Sequence, residues 1–165
     1  MPPSKRLWDS AACLAWLGDE PTAPNCGATL DAVAAGKVEL YISVLAIAET
    51  LMIRGKPKLP VSTKLKVKGF FKNPWIIPVE IDRYCAEVAQ DLVWDYGIAP
   101  KDAIHVAAAL LANCEILETF DHGLMKKSEK VGGTPRLEIR EPGYGFTLPL
   151  PLKNSTELPD NEEKP

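Results

Sequence analysis

The chain has 165 residues, the length of one domain and enough to bury a single hydrophobic core. Its apolar fraction of 46% and charged fraction of 25% are those of an ordinary globular protein, and no run reaches the roughly 18 apolar residues that a membrane span needs. The net charge of −3 taken alone argues against a nucleic-acid partner.

In chain order, the hydrophobic periodicity and the turn-forming residues predict alternating strands and helices. The predicted elements are strand Lys5–Trp8, helix Ala11–Leu17, helix Thr29–Ala35, strand Glu39–Ile42, helix Val44–Ile53, strand Trp75–Val79, helix Ile81–Tyr96, helix Lys101–Asn113, strand Glu115–Phe120, helix Asp121–Lys127 and strand Leu137–Ile139. Ser43 is suited to cap the third helix. Short apolar strands separated by helices predict an α/β fold with a parallel sheet covered on both faces.

Two segments depart from this pattern. A basic run contains no acid between Thr50 and Val79, and the segment Pro57–Asn73 within it has no clear secondary structure. The bases of the run are Arg54, Lys56, Lys58, Lys64, Lys66, Lys68 and Lys72. They favour either a solvated loop or a phosphate-contacting surface, with Lys64, Lys66 and Lys68 as the candidate RNA contacts. Residues 1–140 therefore form the predicted domain, and residues 141–165 a Pro-rich acidic tail with a disordered end.

Cellular location is indicated by the cysteines and the N-terminus. The cysteines are Cys13, Cys26, Cys85 and Cys114. They form no C-x-x-C motif and no Cys/His cluster, which favours reduced buried thiols over disulfides and disfavours a zinc site. Asp9 interrupts the first apolar stretch and no small-residue cleavage pattern follows, so we expect no signal peptide and a cytoplasmic protein.

Three aspartates lie at predicted element boundaries. Asp9 and Asp121 each follow a strand and precede a helix, and Asp102 lies in the first turn of its helix. Each has an ordinary structural interpretation, as a helix cap or a charge that suits the helix dipole. In a parallel sheet, however, residues at the carboxyl ends of strands converge on the ligand crevice near a switch in strand order.

Glu49 and His105 are the polar exceptions on two apolar helices. Glu49 is the only charged residue between Leu40 and Ile53, and an ionised carboxylate buried without a partner costs several kcal/mol. Function is therefore favoured over a structural role for Glu49. His105 follows Asp102 by one turn, and it is interpreted either as a satisfied core histidine or as an orienting contact for the carboxylates.

A cluster of four carboxylates normally holds a cation, because like charges ~4 Å apart repel by about 1–4 kcal/mol. Oxygen ligands without cysteine indicate Mg²⁺ or Mn²⁺. Such an ion suits phosphodiester hydrolysis, because it orients water and neutralises the leaving oxygen.

Four short motifs in order, over roughly residues 5–140, resemble those of PIN domains, the fold of VapC-type toxins. They are Leu7-Trp8-Asp9-Ser10, Ala48-Glu49-Thr50, Asp102-Ala103-Ile104-His105-Val106-Ala107 and Thr119-Phe120-Asp121. The resemblance implies a three-layer α/β/α sandwich with a mostly parallel sheet, and endoribonuclease activity. In the toxin branch it also implies a cognate antitoxin and a homodimer.

By the same resemblance, Asp9, Asp102 and Asp121 correspond to metal-binding aspartates and Glu49 to their acidic partner, which often acts through water. Ser10 and Thr119 correspond to positions that orient those carboxylates. The four acids form the predicted catalytic set: Asp9, Glu49, Asp102 and Asp121.

Other functions remain open or are disfavoured. A non-catalytic PIN-like scaffold that binds RNA or protein is the main alternative. A haloacid-dehalogenase-type phosphatase would need Asp-x-Asp at the first strand end, where residue 11 is Ala11. A receiver domain would need a phosphoacceptor at the third strand and a lysine on a late strand, and neither is evident in this chain. A dinucleotide-binding enzyme would need a glycine-rich loop after the first strand, which this chain lacks.

Overall fold

The computed structural model describes residues 1–52, 55 and 57–143. They contain a sheet of five parallel strands in the order β3-β2-β1-β4-β5. The strands are β1 Ser4–Trp8, β2 Val38–Ser43, β3 Ile76–Val79, β4 Ile116–Glu118 and β5 Glu138–Arg140. The chain builds outward from β1 to β3 and then returns to the other side of β1 with β4. The strand order therefore switches between β1 and β4, where a ligand crevice is expected.

The helices cover both faces of this sheet. They are α1 Ser10–Leu17, α2 Ala23–Ala34, α3 Val44–Glu49, α4 Val61–Phe70, α5 Arg83–Tyr96, α6 Pro100–Leu111 and α7 His122–Met125. One core cluster joins α5 and α6 to one sheet face, and a second joins α1, α2 and α4 to the other. Consecutive side chains of β1 point to opposite faces of the sheet, because Leu7 belongs to the first cluster and Trp8 to the second. The predicted α/β/α sandwich with its mostly parallel sheet is confirmed.

Helix α4 was not predicted. It lies inside the segment Pro57–Asn73, whose lysines obscure its periodicity. Val67 and Phe70 are its buried residues, and the ring of Phe70 lies 6.5 Å from that of Trp8 between centroids. Two well-placed apolar residues are enough to hold this helix on the core, since tertiary packing supplies most helix stability.

Two helix boundaries also differ from the predictions. Helix α2 begins at Ala23 instead of Thr29, with Pro24 in its first turn, where the ring preorganises the backbone and no donor is lost. Helix α3 ends at Glu49, because Thr50 is its C-cap and its hydroxyl donates to the carbonyl of Ile47 at 3.3 Å. Ile53, the predicted end, lies outside the described residues.

The four cysteines are free, buried thiols, as the sequence predicted. Burial is the first cause that raises the pKa of each, to about 12 for Cys26 and Cys114. Among the described residues, no helix is both long and apolar enough to cross a membrane.

Candidate active site

Asp9 and Asp121 follow the two strands that flank the switch in strand order. Asp9 caps α1, where its Oδ1 accepts the N–H of Ala12 at 3.0 Å. Asp121 caps α7 in the same way, with Oδ1 accepting the N–H of Leu124 at 3.0 Å. Capping and function are therefore not exclusive here: each cap fixes one carboxylate oxygen and so orients the second.

Thr119 links these two aspartates. It is fully buried, and its hydroxyl oxygen accepts the N–H of Asp121 at 3.0 Å. The same side chain hydrogen-bonds the carboxyl group of Asp9 and lowers its pKa. A single hydroxyl thus couples the end of β1 to the loop after β4.

Asp102 and Asp121 line one cavity of about 250 Å³ beyond the carboxyl end of β4. Gly97 and Ile98, which precede α6, form another part of its wall. Lys127 also lines it, and its ammonium group donates to the carbonyl of Tyr96 at 2.7 Å. The cavity therefore brings the carboxylates of Asp102 and Asp121 together with the side chain of Lys127 at the predicted crevice.

Negative charge accumulates at this edge of the sheet. Burial raises the pKa of Asp102, and the charges of Asp121 and Glu49 raise it further. Asp9 is 3% exposed; burial raises its pKa first, and the charge of Asp102 adds to the shift. Asp102 interacts electrostatically with the other three acids, so it is the centre of the group.

Glu49 has side-chain partners, of which the sequence had suggested His105, as an orienting contact for the carboxylates, but not Lys101. His105 Nε2 lies 2.9 Å from its Oε2, and Lys101 Nζ lies 3.2 Å from its Oε1. The hydrogen bond from His105 is the largest cause that lowers the pKa of Glu49, to about 2. Ser10 also hydrogen-bonds Glu49 and lowers the pKa. Glu49 is therefore a partly buried carboxylate with partners, and its functional role stays a prediction.

His105 orients Glu49 from the protein interior. The ring is 1% exposed, and its Nδ1 lies 2.8 Å from the hydroxyl of Ser43. An ionised carboxylate only accepts hydrogen bonds, so Nε2 carries the proton toward Glu49. Ser43 occupies the N-cap position of α3 but makes no side-chain capping bond, which corrects the predicted capping role.

The sequence profile of the PIN domain matches residues 7–130, three quarters of the chain. The chain belongs to the PIN-domain family. No curated protein matches the sequence significantly.

Solved structures share the fold at low sequence identity. A structure of VapBC2 from Rickettsia felis bound to promoter DNA matches with a TM-score of 0.62 and 17% identity, over 83% of this chain and 98% of the other. The toxin VapC20 of Mycobacterium tuberculosis, described as cleaving the sarcin-ricin loop, matches with a TM-score of 0.57 and 11% identity, over 70% and 89%. A toxin-antitoxin complex from Klebsiella pneumoniae matches with a TM-score of 0.52 and 19% identity, over 80% and 94%.

The acids of this PIN domain do not form a closed metal-ligand set. Within residues 1–52, 55 and 57–143, no group of three or more His, Cys, Asp or Glu side chains is arranged to hold a metal ion. Asp102 and Asp121 nevertheless line one cavity, whereas Asp9 is almost fully buried. Mg²⁺ in proteins is usually held by one or two carboxylates and keeps several waters, so this pair fits a hard divalent cation.

The candidate RNA contacts of the PIN domain lie on α4. Lys64, Lys66 and Lys68 are all exposed, but helical geometry places Lys64 and Lys68 on one face, one turn apart, and Lys66 on another. Arg54 and Lys56, the first bases of the predicted run, lie outside the described residues. Two of the three candidate lysines can thus contact neighbouring phosphates together.

A buried charged network in this PIN domain was not predicted from the sequence. Glu118 of β4 is fully buried and pairs with Arg6 of β1 at 2.6 Å. It also accepts hydrogen bonds from Trp8 Nε1 at 2.6 Å and from the hydroxyl of Thr29 at 2.8 Å. The available signal was two charged residues of opposite sign inside central apolar strands, at positions that face the same side of the sheet.

Proposed function

We propose that this PIN domain is a ribonuclease that cleaves RNA phosphodiester bonds with a divalent cation, Mg²⁺ or Mn²⁺. The observation that carries the proposal is the cavity shared by Asp102 and Asp121 at the switch in strand order, with Asp9 and Glu49 in electrostatic contact with Asp102. VapC20, which shares the fold, is described as a toxin that cleaves the sarcin-ricin loop.

In this mechanism, Asp102 and Asp121 would hold the cation, and Asp9 would add negative charge beside them. The chemistry that a bound divalent cation would supply is polarisation of a phosphoryl oxygen and activation of water for attack. Thr119 and the two helix caps fix the orientation of Asp9 and Asp121. Because Glu49 is ionised and held by His105 and Lys101, its carboxylate would orient a water near Asp102 by accepting a hydrogen bond from it.

The first test is cleavage of single-stranded and structured RNA by the purified protein. We expect cleavage with Mg²⁺ or Mn²⁺ and none in EDTA, and we expect Asp9→Asn to be inactive but folded. Exposed Asp91→Asn on α5 is the matched control and should cleave like the parent. Cleavage that persists in EDTA, or in Asp9→Asn at the parent rate, contradicts the proposal.

The second test concerns RNA binding by α4. Replacing Lys64 and Lys68 with Gln should reduce the slope of log binding constant against log salt by about 1.4, from a contribution of about 0.7 per phosphate contact on single strands. The single variant Lys66→Gln, on another face of the same helix, measures the contribution of Lys66 to the slope separately from that of Lys64 and Lys68. If the slope does not change in the variant with Gln at all three positions, α4 does not contact the RNA backbone.

The non-catalytic scaffold remains the second candidate function, because the described acids form no group of three able to hold a metal ion. It predicts RNA binding but no cleavage at any Mn²⁺ concentration. The fold neighbours from Rickettsia felis and Klebsiella pneumoniae are toxin-antitoxin complexes, so we also propose a cognate antitoxin as partner, and a homodimer.

A further inference from the structure

An apolar groove lies between α2 and the start of β3, away from the carboxylates. It has a volume of about 220 Å³ and is lined by Leu30, Val33, Ala34 and Trp75. Trp75 is 37% exposed, and Ala34 is also exposed. None of the lining residues within the described part of the chain is charged, so an apolar occupant would gain free energy by leaving water there.

The described chain leads toward this groove. After β5, at one edge of the sheet, Pro142 and Gly143 are buried, and the N–H of Gly143 donates to the hydroxyl of Thr29 in α2 at 3.2 Å. Gly143 has φ +75°, and a Cβ there would lie 2.6 Å from the carbonyl oxygen of Asn25. Residues 141–143 thus carry the chain from the β5 edge onto α2, the helix that also supplies Leu30, Val33 and Ala34 to the groove.

The sequence that follows Gly143 is rich in apolar residues. Residues 144–152 lie outside the described residues and read Y-G-F-T-L-P-L-P-L. Large apolar residues occupy every second position, so in an extended chain they share one side. Pro149 and Pro151 favour extended conformations for the residues before them.

We propose that residues 144–152 dock along α2 and place apolar side chains in the groove of Leu30, Val33, Ala34 and Trp75. Nine extended residues reach about 30 Å, more than the length of α2, which rises about 1.5 Å per residue. The hydroxyl of Thr29, which holds Gly143, also donates to Glu118. Residues 144–152, called the strap below, therefore follow directly on Gly143, which is fixed and buried.

Two truncations of the full chain test the docking. A chain that ends at Leu152 should melt within about 1 °C of the parent, whereas one that ends at Gly143 should melt about 3–6 °C lower. RNA cleavage should survive both truncations, because the carboxylates lie outside the groove. Equal melting temperatures for the two truncated chains overturn the proposal.

Point variants of the full chain test the same contact without removing residues. Leu148→Asp and Ala34→Glu should each lower the melting temperature by about 2–4 °C, whereas Thr147→Asp and the exposed Ala86→Glu on α5 should not. If the strap covers the groove, Ala34→Glu should have little effect in the chain that ends at Gly143, since interacting sites are not additive.

Two results contradict the strap. One is an Ala34→Glu effect that is equal in the full and truncated chains. The other is loss of a dimer in Ala34→Glu, measured by light scattering, because the occupant would then be a second copy of the protein.

Discussion

Replacing Asp102 with Asn is expected to lower the rate of metal-dependent RNA cleavage by about 100-fold or more. Asp102 shares the cavity with Asp121 and interacts electrostatically with Asp9 and Glu49. Removal of its charge weakens cation binding and the stabilisation of charge in the transition state, and single groups in such roles contribute about 100- to 1000-fold. Single-turnover cleavage of a labelled RNA at saturating Mn²⁺ measures the effect.

The matched control for this prediction is Asp95→Asn, a loss of one exposed carboxylate near the end of α5. It should change the rate by less than about twofold. If Asp102→Asn cleaves as fast as Asp95→Asn, Asp102 acts only as a negative charge that suits the dipole of α6. The candidate active site would then be wrong.

Replacing Glu118 with Gln is expected to cause the largest loss of stability among the substitutions considered. Glu118 is fully buried and accepts from Arg6, Trp8 and Thr29 at 2.6, 2.6 and 2.8 Å. Breaking a buried pair from one side costs about 3–5 kcal/mol, because the remaining buried charge loses its compensation. For a domain of this size, that corresponds to a melting temperature lower by about 6–20 °C.

Glu87→Gln is the control, because Glu87 makes an exposed ion pair with Arg83 at 2.8 Å across one turn of α5. Exposed pairs contribute about 0–1 kcal/mol. Urea unfolding of the two variants at pH 7 measures the difference. Similar free energies of unfolding for Glu118→Gln and Glu87→Gln would mean that the buried network does not hold β1 to β4.

The strands could be predicted because their signal is local. Each is a short apolar run bounded by turn-forming or charged residues, and the five runs predicted the sheet. Helix α4 escaped prediction because its lysines dominate its composition, whereas its stability comes from the packing of Val67 and Phe70 on a core formed by distant segments. Hydrophobic periodicity in the sequence predicts a helix or strand only where that element's own residues show the periodicity.

The acids could be located from the sequence, but of their ion-pair partners only His105 was suggested. Asp9 and Asp121 were placed by strand ends, which parallel topology brings to one edge. The ionised side chain of Glu49 is paired with Lys101 and His105, which lie more than 50 positions away in the sequence. Glu118 is paired with Arg6, which lies 112 positions away. Such pairings follow from strand order and register, which a single sequence does not specify.

The most direct test of a cation site at Asp102 and Asp121 is thermal melting of the parent and of Asp102→Asn, each with EDTA and with Mn²⁺. The folded-state pKa of Asp102 is raised, so its ionised form destabilises the metal-free protein at pH values above that pKa, and the penalty disappears as the pH falls through it. At pH 7, Asp102→Asn should therefore melt about 2–4 °C above the parent in EDTA, for relief of ~1 kcal/mol. Mn²⁺ should stabilise the parent by ~2.7 kcal/mol at a hundredfold excess over Kd and the variant hardly at all. A lower melting temperature for Asp102→Asn in EDTA, with an undiminished Mn²⁺ shift, contradicts the site.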